Sequence, residues 1–339
     1  MMFSRYIRMV GFAAWVAMAA VGMAAPEKKT PPQKLAPSAP QVVEVGVWPT
    51  VIYNLDVHSN TFYMTAYVWF IWRGDIDPSE TVEFTNNVES WGLTKARTYP
   101  KPITLPDGRR YQCLRIEGRF FQPFSLRRFP LEQHTLSLTI EDNTYSSDRL
   151  VYRFDQRHSG LDSGLVIPGW TLQSWKGTER THHYGTNLGD ETVGADTSDY
   201  GTICFEVRVT RPVNYFLWKM LLPVVIILLA CWTALLLHPS QLASRAAMTG
   251  TALLTTVFMQ QGYTNNLPEL NYLVLMDKIY VVVYLLIIVS LVQVVIQGAL
   301  EKRHTKDDFR KAAQIDKMSV ILQAVAFAIS LWVINATTN

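Results

Sequence analysis

Hydrophobic and polar positions divide the chain into an alternating region followed by long apolar runs. Residues 61–72 are β-branched and aromatic between turn residues, and residues 135–141 alternate strictly, so both are predicted to be strands. Further strands are predicted at residues 42–47, 111–121, 169–174 and 203–210. Because short strands recur and no long amphipathic helix interrupts them, residues 41–210 are predicted to form an immunoglobulin-like β-sandwich.

The last third of the chain contains segments with the length of membrane-spanning helices. They cover residues 215–237, 240–262, 272–296 and 318–334. The first has about 23 residues, which corresponds to roughly 35 Å of helix and is enough to cross a bilayer. Residues 211–339 are therefore predicted to form a four-helix transmembrane bundle.

The second of these segments differs from the others because one stripe of the helix mixes polar and apolar residues. Its members are spaced alternately four and three positions apart. They are Ser240, Ser244, Ala247, Thr251, Leu254, Phe258 and Gln261. The polar ends and apolar middle suit a helix that lines a water-filled path with one dry constriction. A helix buried in a bundle, with hydroxyls bonded to carbonyls one turn back, is the alternative.

The N-terminus has the pattern of a secretory signal peptide. Arg5 and Arg8 precede a short apolar core, and small residues lead to cleavage after Ala24, so residues 1–24 are predicted to be removed. A membrane anchor is the alternative, but the apolar run is short for a span. Residues 25–40 are rich in proline and predict an extended linker.

Charges in the connections predict the orientation in the membrane. Residues 299–311 contain five Lys or Arg side chains, whereas residues 263–271 contain none. The positive-inside rule places the first connection in the cytoplasm and the second outside. An exported β-domain gives the same orientation, and an even number of spans returns the C-terminus to the outside.

Composition excludes several classes of protein. The net charge is only +3 without a basic stripe, which gives no support for nucleic-acid binding. Cys113, Cys204 and Cys231 are too widely spaced for a metal site and are predicted to be buried thiols, with pairing of the first two left open. No P-loop, nucleophile elbow or metal-spaced His/Cys cluster occurs, so no enzyme, cofactor or metal is predicted.

Three motifs carry a resemblance to a known family. The segment Phe129-Pro130-Leu131-Glu132 resembles the Phe-Pro-Phe-Asp core of the signature loop of Cys-loop receptors, the pentameric ligand-gated ion channels. Gln122 and Leu136 replace the two bracketing cysteines, which resembles the bacterial branch. Arg211 closes the last predicted strand, and Pro268 follows the second span, as in that family.

The resemblance implies a homopentamer in a bacterial inner membrane, surrounded by lipids and conducting inorganic ions. Five second helices would surround the pore, with Arg245 at its cytoplasmic mouth. The implied pore-lining residues are Ser244, Ala247, Thr251, Leu254, Phe258 and Gln261. Leu254 and Phe258 would form the gate, and packing between helices is the alternative for both.

The resemblance also implies an agonist site between neighbouring sandwiches. Its candidate residues are Tyr67, Arg115, Tyr145, Tyr184 and Tyr200. Aromatic side chains favour a cation, whereas an arginine favours a carboxylate, and both ligand classes stay open. Each tyrosine has the alternative of a half-buried strand residue, and the family's Trp-x-Pro segment is not found. The family's structural tryptophan matches Trp72, which is expected in the core.

Coupling between the domains would involve turns that meet at the membrane surface. Its candidate residues are Asp56, His58, Pro130, Glu132, Arg211 and Pro268. Glu132 is predicted to form an ion pair with Arg211, and a solvated surface glutamate is the alternative. His58 and His134 titrate near neutral pH if unperturbed, which gives the hypothesis that pH gates or modulates the protein.

The prediction for function is therefore a channel gated by a small agonist or by protons. Cation selectivity is favoured by the habit of bacterial members, although no acid lies near Arg245. An anion-selective channel of the same family is the first alternative. A non-conducting, membrane-tethered sensor is the second, but residues 299–311 are too short for an output module.

Overall fold

The computed structural model describes residues 39–186, 189, 199–300 and 306–337. The predicted signal peptide and nearly all of the predicted linker lie outside the described residues. Residues 186–198, whose Gly, Asp and Thr content predicts a hairpin loop, lie mostly outside them, as does part of the predicted basic connection at residues 299–311.

Among the described residues before residue 211, ten strands form two sheets. They are β1 (Gln41–Asp56), β2 (Thr61–Trp72), β3 (Val82–Phe84), β4 (Thr94–Arg97), β5 (Ile103–Thr104), β6 (Arg110–Phe121), β7 (Gln133–Asp142), β8 (Leu150–Phe154), β9 (Thr171–His183) and β10 (Asp199–Thr210). The six-stranded sheet has the order β4-β6-β2-β1-β8, with β5 on β6, and the four-stranded sheet has the order β3-β7-β10-β9. A short helix α1 (Pro78–Thr81) and a 3₁₀ turn (Ser90–Gly92) lie in the connections.

The two sheets share one apolar core. Val45 and Phe70 from the first sheet and Leu138 and Phe205 from the second are completely buried in it. The alternation seen in the sequence of β7 directs every second side chain to this core, which is why that strand was recognisable. Trp72 is buried, which confirms that it is a core residue.

The predicted strands are found, and several unpredicted ones join them. β2 occupies the predicted residues, whereas β1 and β9 extend well beyond the predicted segments. Strands β3, β4, β5 and β8 were not predicted from the sequence. All side chains of β4 and β5 are exposed, so neither strand has the apolar alternation that identifies a half-buried strand.

The region after Arg211 is helical. A single turn α2 (Val213–Tyr215) continues through a π-helical turn (Phe216–Leu221) into α3 (Leu222–Leu236). Helices α4 (Leu242–Thr264), α5 (Leu275–Leu300) and α6 (Lys306–Thr337) follow. Pro223 is the second residue of α3 and follows the π-helical turn directly, so the regular α-helical bonding is interrupted where proline has no N–H group to donate to the preceding turn.

Three helical segments among the described residues are long and apolar enough to cross a membrane. They are Val213–Leu236, Leu275–Ala299 and Phe309–Thr337. Helix α4 does not satisfy the same criterion, because hydroxyl, amide and guanidinium side chains lower its hydropathy. The structure therefore supports three apolar spans directly, and a fourth requires a separate argument.

All three cysteines are free and buried. Cys113 lies in β6 and Cys204 in β10, on different sheets, and Cys231 lies in α3. The prediction of three buried thiols is confirmed, and the open alternative of a Cys113–Cys204 disulfide is wrong.

Candidate functional site

Arg211 and Glu132 form an ion pair where the sandwich meets the helices. The strand register explains the contact. Thr210 of β10 pairs with Gln133 of the antiparallel strand β7, so Arg211, which follows β10, lies opposite Glu132, which precedes β7. The Arg211 Nε atom lies 2.7 Å from the Glu132 Oε1 atom, and the Arg211 amide donates to the Glu132 carbonyl at 3.2 Å. The predicted pairing is confirmed.

Aromatic rings enclose the Arg211 guanidinium. Its central carbon lies 4.6 Å from the centre of the Trp170 ring, 5.3 Å from that of Tyr215 and 5.8 Å from that of Phe129. Rings at these distances attract a cation through their negative faces. Trp170 was missed by the sequence analysis, because it reaches Arg211 only through the pairing of β9 with β10.

The carboxylate partner is almost completely removed from water. The Glu132 side chain is 1% exposed, and its Oε2 atom has no hydrogen-bond partner among the described residues. Burial raises the pKa of Glu132, and the Arg211 charge opposes this increase without cancelling it. Burying the Glu132 carboxylate without a counter-ion would cost folding free energy, and the Arg211 guanidinium offsets that cost.

His134 lies beside this pair and is buried. Its ring packs edge-on against Phe124 at 4.8 Å and Trp170 at 5.2 Å between ring centres. Burial, followed by the Arg211 charge, lowers the pKa of His134 to about 4. The hypothesis that His134 titrates near neutral pH is therefore wrong, whereas the corresponding hypothesis for His58 stays a prediction.

The buried imidazole predicts that acid destabilises the protein. His134 has an ordinary pKa of 6.5 in the unfolded chain and about 4 in the folded protein, so the unfolded state binds more protons between these values. Stability is then expected to fall as the pH drops from about 6.5 to about 4, by roughly 1–3 kcal/mol. His134→Gln should remove most of this slope in thermal melts taken across that pH range.

A matched control comes from His58, because its side chain is exposed. His58→Gln should retain the slope of the wild-type protein. An unchanged slope in His134→Gln would contradict the assignment. The raised pKa of Glu132 acts in the opposite direction, since a carboxyl that is harder to ionise when folded gains stability as the pH falls.

The loop before β7 contacts the helical region directly. The Arg127 carbonyl accepts a hydrogen bond from the Leu275 amide at 2.9 Å, and the Leu126 amide donates to the Tyr272 hydroxyl oxygen at 3.2 Å. The Arg127 guanidinium lies over the Tyr272 ring at 4.6 Å. These contacts join the signature-like loop to the connection between α4 and α5.

A stack of rings continues from the loop into the helices. Phe129 lies parallel to Tyr263 at 6.2 Å, and Tyr263 lies parallel to Tyr280 at 5.4 Å between ring centres. The Tyr263 hydroxyl donates to Asp277, whose other oxygen accepts from the Val274 amide at 3.0 Å. The end of α4 is thus packed against the sandwich loop on one side and α5 on the other.

The remaining coupling candidates take different positions. Asp56 accepts hydrogen bonds from the Ser59 hydroxyl at 2.7 Å and the His58 amide at 2.9 Å, within its own turn. Pro268 lines a cavity together with Thr264 and Asp277 in the connection between α4 and α5. The roles of these residues in coupling stay predictions.

The stripe of α4 faces away from the other helices. All of its predicted members from Ser240 to Gln261 are exposed, including Leu254 at 56% and Phe258 at 63%. The buried face of α4 is formed by other residues. They are Arg245, Thr249, Ala252, Thr256 and Tyr263.

On the buried face of α4, threonine hydroxyls bond to backbone carbonyls one turn earlier, as the alternative interpretation of this helix predicts. Thr249 and Thr256 donate to carbonyls four residues earlier, each at 2.8 Å. Thr255 makes the same kind of bond to the Thr251 carbonyl. Back-bonding therefore accounts for the polar residues next to the stripe, but it does not account for the exposure of Leu254 and Phe258.

The agonist-site candidates fall into two groups on different sheets. Tyr67 of β2 is directly opposite Arg115 of β6, and both side chains are exposed. Tyr145 follows β7, while Tyr184 and Tyr200 flank the β9–β10 connection. One chain therefore holds two candidate faces. The arginine-bearing face carries Arg115 and Tyr67, and the tyrosine-bearing face carries Tyr145, Tyr184 and Tyr200.

The tyrosine-bearing face is built around Glu141, which the sequence analysis missed. The Tyr184 hydroxyl donates to the Glu141 Oε1 atom at 2.7 Å. The Glu141 Oε2 atom contacts the His182 Nδ1 atom at 3.0 Å and accepts from the Thr202 hydroxyl at 2.9 Å. The Tyr184 ring meets Tyr200 edge-on at 5.5 Å. Desolvation, followed by the hydrogen bond to Glu141, raises the pKa of Tyr184.

Tyr145 has partners of its own. Its amide donates to Asp142 at 2.7 Å, and the Arg149 guanidinium lies over its ring at 4.6 Å. The described residues contain no group of three or more His, Cys, Asp or Glu side chains arranged for a metal ion. This face offers aromatic rings, the His182 imidazole and the buried Glu141 carboxylate.

Comparison with known proteins adds an independent observation. The chain is similar to the proton-gated ion channel of Gloeobacter violaceus, with 21% identity over 316 residues, 89% of this chain and 84% of that protein. It is 22% identical over 231 residues to the gamma-aminobutyric acid receptor subunit alpha-2 of Homo sapiens, covering 66% of this chain and 49% of that subunit.

A third relative is the gamma-aminobutyric acid receptor subunit beta-4 of Gallus gallus. It is 25% identical over 175 residues, covering 51% of this chain and 33% of that subunit. The chain thus spans half or less of the receptor subunits that it matches, but most of the bacterial protein. No protein-family profile matches the chain.

Proposed function

Because the chain belongs to the Cys-loop superfamily of pentameric ligand-gated ion channels, we propose that five copies assemble around a central pore lined by α4. The observation that carries this proposal is the exposed stripe of α4. A helix whose other face packs against α3 and α5 leaves Leu254 and Phe258 uncovered in a single chain. A ring of α4 helices around a water-filled axis accounts for a stripe that is polar at both ends and apolar between them.

The proposed path has three zones along α4. Ser244, Ala247 and Thr251 line its inner part, Leu254 and Phe258 form two apolar rings, and Gln261 lies above them. Apolar rings of this kind gate by dewetting, since an ion cannot shed its hydration there. The proposed barrier extends over about two helical turns, roughly 11 Å.

The proposed topology has four spans, with α4 shielded from lipid by the other three. The three apolar segments support spans for α3, α5 and α6. A polar α4 is compatible with a membrane when it lines a cavity. The sandwich and the C-terminus would lie outside a bacterial inner membrane, and the connection between α5 and α6 would be cytoplasmic.

Cation conduction is the proposed selectivity, and anion conduction is the competing outcome. The proposed stimulus is a small cationic agonist or protons. The buried Glu141 beside Tyr184 and Tyr200 supports an ammonium-type ligand, because carboxylate and ring faces both attract cations. The bacterial relative is named as proton-gated, which supports testing protons on this chain.

The cluster around Glu141 predicts a specific loss in ligand response. Glu141→Gln retains the hydrogen-bonding shape but removes the charge, so half-activating concentrations of primary amines should rise about 10-fold or more, as expected for a charged hydrogen bond. Glu80→Gln, at an exposed carboxylate of α1, is the control and should respond like the wild-type protein. Equal amine and proton responses in Glu141→Gln and wild type would exclude this site.

Conduction itself is tested with purified protein in planar bilayers. A NaCl dilution gradient, with pH steps and a panel of amines including gamma-aminobutyric acid, gives both the stimulus and the reversal potential. A reversal potential near the sodium equilibrium potential supports cation conduction. A reversal potential near the chloride equilibrium potential supports the anion-selective alternative instead. Pentamers that conduct under none of these stimuli would favour the non-conducting sensor.

A further inference from the structure

A buried ion pair lies at the end of the helical region opposite the sandwich. Arg245 is in the first turns of α4, whereas Tyr263 at the other end of α4 contacts the loop of the sandwich. The Arg245 Nη2 atom lies 2.9 Å from the Asp316 Oδ2 atom of α6, and each side chain is 1% exposed. Charges this deeply buried are rare unless they are paired.

Every nitrogen of the guanidinium has a partner on another helical segment. Nη1 donates to the Gln297 Oε1 atom of α5 at 2.7 Å, and Nε donates to the Ala234 carbonyl of α3 at 3.2 Å. Arg245 thus joins the base of α4 to α3, α5 and α6. A planar guanidinium suits this arrangement, because its donors have fixed directions.

The carboxylate is satisfied as completely as its partner. The Asp316 Oδ1 atom accepts from Gln293 at 2.5 Å and from Gln297 at 2.8 Å, both in α5. The network continues from Gln293 through Ser319 to Gln323 of α6. These hydrogen bonds offset part of the desolvation of both charges.

The ion pair lies on the side of α4 that is turned away from the proposed pore. Ser244 and Ala247 belong to the exposed stripe, whereas Arg245 shares the buried face with Thr249 and Ala252. At about 100° per residue, Arg245 lies roughly opposite the centre of the stripe. Its charge is therefore behind the wall of the path and not inside it.

We infer that Asp316, on the last helix of the chain, is a specificity-determining and positioning residue of the pore. It neutralises the Arg245 charge that an ion at the inner mouth would otherwise meet, and it fixes the base of α4 to α6. This inference rests on the proposed function and deepens it. Arg245, placed by the family register at a mouth without acidic residues, would then not oppose cation entry.

Elementary electrostatics explains the effect. Opposite charges 2.9 Å apart form a dipole whose field decreases faster with distance than that of a single charge. Removing the carboxylate from five subunits would leave five uncompensated cations around the mouth. The low-dielectric walls of a narrow path focus such a field onto the ions within it.

The test measures relative chloride and sodium permeability from reversal potentials in a NaCl gradient. Asp316→Asn keeps the size of the side chain and removes its charge, so the chloride-to-sodium permeability ratio should rise severalfold. Asp316→Glu retains the charge and should lie much closer to the wild-type protein. The double variant Arg245→Gln, Asp316→Asn removes both charges and should return the ratio toward that of wild type.

Two results would overturn the inference in conducting channels. One is an Asp316→Asn channel with the wild-type ratio. The other is an equal shift in Asp316→Asn and in the double variant, because the effect would then not pass through Arg245. If Asp316→Asn does not assemble, the double variant decides: assembly with a near-wild-type ratio supports the pair, and failure or an altered ratio overturns it.

Melting temperatures of the purified oligomer separate this inference from the proposed function. If the wild-type protein conducts no ions, the proposed function fails and the selectivity role fails with it. The positioning role then still requires that Asp316→Asn melt lower than wild type and that the double variant recover most of the difference. Equal melting temperatures in all three proteins would overturn the positioning role as well.

Discussion

Arg211→Ala is expected to abolish assembly or gating. The substitution leaves the Glu132 carboxylate buried, with neither of its oxygens paired to a cation. Breaking a buried ion pair by removing one partner costs about 3–5 kcal/mol. The loss also empties the space between Trp170 and Tyr215, which the guanidinium fills. Because these groups connect β7, β10 and the first helical turn, the damage falls where the two regions meet.

The measurement for Arg211→Ala combines size-exclusion chromatography, thermal melting and agonist-evoked current. Arg208→Ala, in the strand β10 that ends just before Arg211, is the matched control, since the Arg208 side chain is exposed. The free energy of unfolding of Arg208→Ala is expected to lie within about 0.5 kcal/mol of the wild-type value. Arg211→Ala combined with Glu132→Gln should recover part of the stability, because the orphaned charge is gone. Normal currents from Arg211→Ala alone would contradict the coupling role.

Leu254→Thr is expected to produce leak current or increased agonist sensitivity in an intact assembly. Leu254 is 56% exposed in the chain, so its side chain contributes little to packing within one subunit. Five threonines in place of five leucines would supply hydroxyl groups to the narrowest proposed zone. Water and ions would then enter it with a smaller dehydration penalty. Leu254→Thr is therefore expected to destabilise the closed state relative to the open state without destabilising the fold of the subunit.

The neighbouring Leu253 provides the control for Leu254→Thr. Leu253 is partly buried against the core of the chain, so Leu253→Thr should lower the melting temperature without opening the pore. The two leucines are adjacent in sequence and differ in which face of α4 they occupy. A Leu254→Thr channel with reduced sensitivity and a lowered melting temperature would instead indicate packing. The constriction would then be assigned to Phe258 or, lower, to Ala247.

Local periodicity explains what the sequence could predict. β2 and β7 have uniform or alternating apolar patterns, and the stripe of α4 repeats at helical spacing, so each was found by its period. The exposed strands β4 and β5 lack such a pattern and were missed. The parallel strand β8 pairs with β1, and that long-range pairing has no local signal.

Tertiary contacts explain what the sequence could not predict about the site. Trp170, Glu141 and Tyr263 acquire their positions from strand pairing or from packing between distant segments. His134 was expected to titrate near neutral pH because its solvent exposure is not a local property. The Glu132–Arg211 pair was predicted correctly, but only because the motif match supplied the register that local patterns lack.

The three buried thiols make the natural chain suitable for site-selective labelling. Burial raises the pKa of Cys113 and of Cys204, which depletes the reactive thiolate, and Cys231 is completely buried within α3. A cysteine introduced on the exposed stripe of α4 would therefore be the preferred target of a maleimide or a spin label. Probes at successive stripe positions can report water access and distances across the assembly without first removing a native cysteine.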